Sequence, residues 1–241
     1  MLKTSSFFIS LLLLASVCCR AQSDSGEARF GLRLGLDLSR FVMDYLQPDR
    51  RDFGFSADLQ MDQNLFVAGE GGWGSASIRN TPLLDYKESG YFWKIGADYN
   101  LLPHDQPGEN NIIYGGLRIG HASFSQSASG FQITDGYWGN VNGSLPLRRE
   151  SATWLELVAG IKIEALKNFF IGWSLRERIL FKGMVDPVLT PYVIPGFGKG
   201  SAASAFDVDY SIYYRIPFLK VHIRPKPPKP LPHVPGHTAP G

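Results

Sequence analysis

Phe206–Lys220 reads FDVDYSIYYRIPFLK. Phe206, Val208, Tyr210, Ile212, Tyr214 and Ile216 fall on one parity; Asp207, Asp209, Ser211, Tyr213 and Arg215 fall on the other. Successive side chains of a strand point to opposite faces, so this is a strand with one apolar side and one charged side. The apolar side faces either a protein interior or a solvent as apolar as itself.

Seven other stretches repeat the pattern. They are RFGLRLGLDLS from Arg29, DFGFSADLQM from Asp52, the glycine-rich LFVAGEGGWGS from Leu65, YFWKIGADYNL from Tyr91, IIYGGLRIGH from Ile112, TWLELVAGIKIEA from Thr153 and FFIGWSLRERI from Phe169. Most are about 9–11 residues long, enough for a tilted strand to cross a bilayer. The spacers tend to alternate in length. Asp62–Asn64 and Leu166–Asn168 are tight turns, whereas 79–89, 123–150 and 182–203 are long, and FVMDYLQPDRR and LLPHDQPGENN are intermediate. The expected fold is all-β: an up-and-down antiparallel transmembrane β-barrel of about eight strands, with long outer loops and short periplasmic turns.

Alternation alone leaves a lipocalin-type barrel open, with its apolar face inward. Three features favour the apolar face outward. It is bulky on nearly every strand, more than a barrel of about eight strands can enclose. The other parity mixes charges with Gly31, Gly35, Gly54, Gly96, Gly116, Gly120, Gly160 and Gly172, which leave room for long side chains. Aromatics such as Tyr91, Trp93, Tyr210 and Tyr214 suit an interfacial girdle. The lumen is then expected to hold a charge network of Arg29, Arg33, Asp37, Asp58, Lys94, Asp98, Arg118, Glu156, Lys162, Arg176, Arg178, Asp207, Asp209 and Arg215, with Asp52, Glu70 and Glu164 beside them. Near-balanced charges in a narrow lumen should pair, which argues for a plugged barrel over an open pore.

The N-terminal region reads as a targeting segment. Lys3, the apolar run FFISLLLLASV from Phe7 and Ala21 before Gln22 suggest a signal peptide over residues 1–21, with lipidation at Cys18 or Cys19 as the rival. Both cysteines fall inside it, so disulfides and thiolate chemistry are not expected beyond it. Without Lys3 and Arg20, 22 basic residues face 22 acidic ones, which gives no reason to expect nucleic acid. No later segment approaches 18 consecutive apolar residues, so no membrane helix is expected. The barrel is assigned to residues 22–218. Residues 219–241 form a proline-rich tail, cationic through Lys220, Arg224, Lys226 and Lys229, expected to extend into the periplasm.

The stretches GFQITDGYWGNVNG, SATWLELVAGIKIEALKNFFIGWSLRERILFKG and FDVDYSIYYRIPF resemble an uncharacterised outer-membrane barrel family of Bacteroidota. The resemblance implies location in the outer membrane and an accessory role beside larger outer-membrane machinery. It supplies no catalytic residue.

Chemistry candidates are few. His121 and Ser123 resemble the His-x-Ser pair of outer-membrane lipid A deacylases, but no carboxylate is evidently placed to orient the ring. The bland alternative is a histidine at the membrane rim. Gly69-x-Gly71-x-x-Gly74 matches a dinucleotide fingerprint without the strand–helix context that would give it meaning. The histidines show no metal-site spacing, and no metal or cofactor is expected. The two longest spacers are rich in apolar residues, and Phe131, Tyr137, Trp138, Val188, Tyr192, Ile194 and Phe197 are expected either to pack as a lid or to dock a partner. The reading is a non-enzymatic outer-membrane barrel acting as a structural or interaction subunit. Its expected partners are outer-membrane lipid and another outer-membrane protein or lipoprotein; a lipid A hydrolase and a small channel are the alternatives.

Overall fold

The computed structural model describes residues 27–62, 64–80, 84–102, 110–135, 139–181 and 190–222. The expected signal peptide and the tail beyond residue 222 lie outside them. Eight strands close a barrel in the order β1-β10-β7-β6-β5-β4-β3-β2, every neighbouring pair antiparallel. They are β1 (Glu27–Asp37), β2 (Arg50–Gln60), β3 (Leu65–Asn80), β4 (Leu84–Asn100), β5 (Ile112–Asp135), β6 (Gly139–Leu166), β7 (Phe169–Leu180) and β10 (Ser204–His222). A helix α1 (Ser39–Leu46) and a small hairpin of β8 (Val193–Ile194) and β9 (Gly198–Lys199) complete the fold. Glu27 pairs with His222, so both ends of the barrel chain sit at one rim, the lower one. Closure leaves no edge strand at the level of the belt, so the backbone groups there can be satisfied within the wall; above it β6 pairs with β5 alone, since β7 meets it no higher than Trp154.

The distribution of side chains is inverted relative to a water-soluble protein. Leu34, Phe55, Trp93, Ile95, Leu117, Ile119, Leu157, Leu175 and Val208 point outward and are 45–56% exposed, while Arg33, Asp58, Lys94, Asp98, Arg118, Glu156, Lys162, Arg176, Asp209 and Arg215 are buried inside. Glycines on the inner face make room for the largest lumen side chains. A Cβ at Gly120 would collide with the Trp154 ring, and one at Gly35 with that of Tyr213.

The longest spacers differ from expectation. Residues 123–150 continue β5 and β6 far above the apolar belt as a paired hairpin, so most of that span is strand and not loop. Residues 79–89 likewise belong largely to β3 and β4. The apolar alternation stops above the belt. There the parity reverses in character: Ser123, Ser125 and Ser127 face out, while Phe124, Gln126 and Ala128 are buried within. The spacer FVMDYLQPDRR contains α1 in place of a plain loop. Arg40 and Asp44, one turn apart, hold it to the barrel: Arg40 Nε donates to Asp37 (2.8 Å), and Asp44 accepts from the Asp52 amide (2.9 Å).

Candidate functional site

The lumen is layered. At its upper mouth the β8–β9 hairpin folds down into the barrel, and Ile194 and Phe197, both 0% exposed, pack on Phe92, Ala122, Phe124, Ala152 and Trp154. Gly196 makes the turn possible. Its φ of +75° is in the left-handed region, and a Cβ there would collide with the Phe92 ring. Arg178 donates to the Phe197 carbonyl (3.0 Å), tying the hairpin to the charges beneath it. Ile194 and Phe197 are thus turned away from any docking surface, because the mouth offers them an apolar cluster to enter. Tyr192, 47% exposed, stays outside. Phe131 lies in β5 opposite Gly143; Tyr137, Trp138 and Val188 fall outside the described residues.

Below the hairpin, charged side chains fill the cross-section. Glu156 sits among Lys94 (2.7 Å), Arg176 (2.8 Å), Arg178 (3.0 Å) and Arg118 (3.9 Å). Glu70 pairs with Arg118, Arg176 (2.8 Å) and Lys94 (3.4 Å), both oxygens of Asp98 accept from Arg118 Nη2 (3.0 and 2.9 Å), and Asp209 pairs with Arg176. With Lys162, 3.8 Å from Asp98, its partner Asp58, and Asp207, 3.2 Å from Arg178, these are one connected cluster of five cations and six carboxylates. Lys162 pairs with Asp58 and lies over the Tyr114 and Tyr213 rings (4.7 Å each). Lower still, the Arg33 guanidinium lies over the rings of Phe66 (4.6 Å) and Phe170 (4.9 Å), and Arg215 binds Asn110 and Glu164. Asp37 sits at the top of β1 with Arg40, and Asp207 is half exposed beside Arg178. The side chain of Arg29 is outside the described set.

His121 and Ser123 stand on the outer face of β5, both half-buried. The imidazole Nδ1 is engaged by Thr153 Oγ1 (2.9 Å), one strand over, and the ring packs on Trp93 (5.7 Å between centroids). This geometry holds the histidine to the wall and gives no Ser–His hydrogen bond. Gly69 and Gly71 lie mid-strand in β3, without the helix a dinucleotide site requires. Among the described residues no group of His, Cys, Asp and Glu could hold a metal ion.

Residues that sequence reasoning missed are those that seat the hairpin. Glu88 faces inward above the belt: the outward residues around it on β4 are Lys87 and Ser89, and the apolar ones begin at Tyr91. Burial pushes its carboxyl up to about 7. The Tyr86 hydroxyl donates to it (2.6 Å), as does the Val193 amide (3.3 Å), with Arg50 and Asp52 acting at longer range. A carboxyl whose folded pKa exceeds its unfolded value favours the folded contact while protonated. Its contribution is therefore complete below the unfolded pKa of about 4.5 and is lost as pH rises to about 7. Hydrogen exchange at Val193 and Ile194, divided at each pH by the intrinsic base-catalysed rate, should accelerate up to about tenfold per pH unit inside that window, the slope of one linked proton. Glu88→Gln should flatten the profile; an unchanged profile would remove Glu88 from hairpin closure.

No curated protein matches the chain. Solved structures with a similar fold include the N-terminal β-barrel domain of Pseudomonas aeruginosa OprF (12% identity, covering 78% of this chain and 98% of that one, TM-score 0.41). They also include the attachment invasion locus protein Ail of Yersinia pestis (14%, 80% and 100%, 0.40) and a major outer membrane protein from Thermus thermophilus (12%, 78% and 98%, 0.42). A family model described as a domain of unknown function, DUF6048, matches residues 2–221, and the chain belongs to that family.

Proposed function

We propose that this chain is a closed, non-conducting barrel of the bacterial outer membrane that serves as a structural and interaction subunit. One observation carries the reading: an apolar belt encircles a lumen filled by paired charges and capped by Ile194 and Phe197. Hydrocarbon is the solvent that suits such an exterior, and a barrel spans it because its backbone is satisfied within the wall. A conducting lumen would need a free path and a dominant sign of charge, whereas this cluster is dense and its two signs nearly offset one another. The Bacteroidota resemblance of the sequence supports a Gram-negative envelope, with the proline-rich tail on the periplasmic side. The partner is then another outer-membrane protein or a lipoprotein, within an assembly, secretion or uptake complex.

Two measurements test this. In planar bilayers the protein should give no conductance steps, and deletion of residues 191–200 should give none either, because the charge cluster lies beneath the hairpin. Steady ohmic conductance would establish the channel reading in its place. Affinity purification in mild detergent should recover a stoichiometric envelope protein. Isolation alone, with changes in lipid A that vanish in Ser123→Ala, would establish the hydrolase.

A further inference from the structure

The strand register aligns outward side chains into rows running across β2, β3, β4, β5 and β6. One row is Phe55, Gly71, Trp93, His121 and Thr153; the next above it is Phe53, Trp73, Tyr91, Ser123 and Ser151; the third is Arg51, Ser75, Ser89, Ser125 and Arg149. Along β3 and β4 the outer wall passes within two residues from aromatic (Trp73, Tyr91) to hydroxyl (Ser75, Ser89), β5 carries serine in both rows, and the upper row ends in an arginine on each side. Four strand spacings separate those arginines, about 19 Å. Above the row, Ser77, Lys87 and Ser127 continue the same surface, with Lys87 beside Asp85 at 3.4 Å. Pro48 and Asp49 on one side and Leu147 on the other bound it, giving an open trough of about 540 Å³.

The trough is continuous with the apolar belt. Phe53 stacks on Trp73 (4.5 Å), and Phe41 of α1 packs edge-on against Phe53 (6.1 Å). Val42, Tyr45 and Leu46 extend that apolar border and are 59%, 87% and 65% exposed. Among the described residues the opposite wall shows no such row, although Ser204 of β10 lies outward beside Ile179. The other outward residues at the upper part of β7 and β10 are Glu177, Ile179 and Phe206, and β7 pairs with β6 only up to Trp154.

From this layering we infer that the β2–β6 wall binds a phosphorylated glycolipid of the outer leaflet, an inference that rests on the membrane reading above. Acyl chains lie on the belt and on the exposed face of α1. The sugar rings lie on Phe53, Trp73 and Tyr91 and on the serine hydroxyls. Arg51, Arg149 and Lys87 receive the phosphates by charge-assisted hydrogen bonds. A nonspecific polar rim would not end its hydroxyl row in an arginine on each side.

The test uses the full chain inserted in vesicles containing bis-phosphorylated lipid A, dephosphorylated lipid A or phosphatidylglycerol alone. Protease protection scores insertion, and native mass spectrometry after mild extraction scores retained lipid. The wild type should retain bis-phosphorylated lipid A at least about tenfold better than the other two, and Arg51→Glu/Arg149→Glu should abolish that preference while inserting normally. Arg51→Lys/Arg149→Lys should keep part of it. Insertion with equal retention of the three lipids overturns this inference and leaves the barrel reading intact, as does a homodimer without lipid. Failure of the wild type to insert overturns both.

Discussion

Glu156→Ala should lower the stability of the lipid-inserted protein by about 3–5 kcal/mol, the range found when one member of a buried ion cluster is removed. Glu156 is 0% exposed and has Lys94, Arg176 and Arg178 within 3.0 Å. Without it, Lys94, Arg176 and Arg178 lose the carboxylate they share at 3.0 Å or less, and Lys94 keeps only Glu70 at 3.4 Å, so three buried cations are left poorly compensated. Glu156→Gln separates charge from space, since it preserves volume and an acceptor; it should retain part of the stability. Asp207 supplies the internal comparison. It pairs with the same Arg178 at 3.2 Å, but its side chain is 49% exposed, so Asp207→Ala should cost under about 1 kcal/mol. Urea titrations of refolding into vesicles measure all three. Equal effects of the Glu156 and Asp207 substitutions would mean that water enters the lumen, and the sealed interior would have to be given up.

The barrel is legible in the sequence where the outer face is apolar. Leu32 to Leu36 and Phe206 to Ile216 alternate with few exceptions, and seven strands are visible from that period, whereas the glycine-rich LFVAGEGGWGS leaves its facing open. Above the belt the pattern changes. In HASFSQSASG, His121 to Gly130, the alternation persists as a serine at every second position from Ser123, with Phe124, Gln126 and Ala128 between. A search for apolar stripes passes over it, which is why the tall β5–β6 hairpin reads as a loop in the sequence. Helix α1 is hidden similarly: Arg40 and Asp44 against Phe41, Val42, Tyr45 and Leu46 follow a helical period, but over only 8 residues that end before Pro48. The hairpin seat depends on what periodicity does not contain. Phe92, Trp154, Ile194 and Phe197 come from three distant segments, and only barrel closure brings them together.

Leu117→Arg decides the solvent of the outer face. Leu117 lies mid-belt on β5, between Ala97 and Leu157 on the adjoining strands, and is 50% exposed. On a water-soluble barrel an arginine there would be nearly neutral, since the position already meets solvent and closes no cavity. At a bilayer midplane the same change should cost about 2–4 kcal/mol. Ser127→Arg, on the same strand and face but above the girdle, should cost no more than about 1 kcal/mol, because depth and not strand identity sets the penalty. The pair is measured as the difference in urea midpoint for folding into vesicles, with unchanged slope confirming that the same surface is buried. A penalty at Leu117 matching that at Ser127 would place water around the whole wall. The inverted arrangement of charge and hydrocarbon would then have no driving force, since in water nothing favours leaving the apolar parity outside while sealing paired charges within.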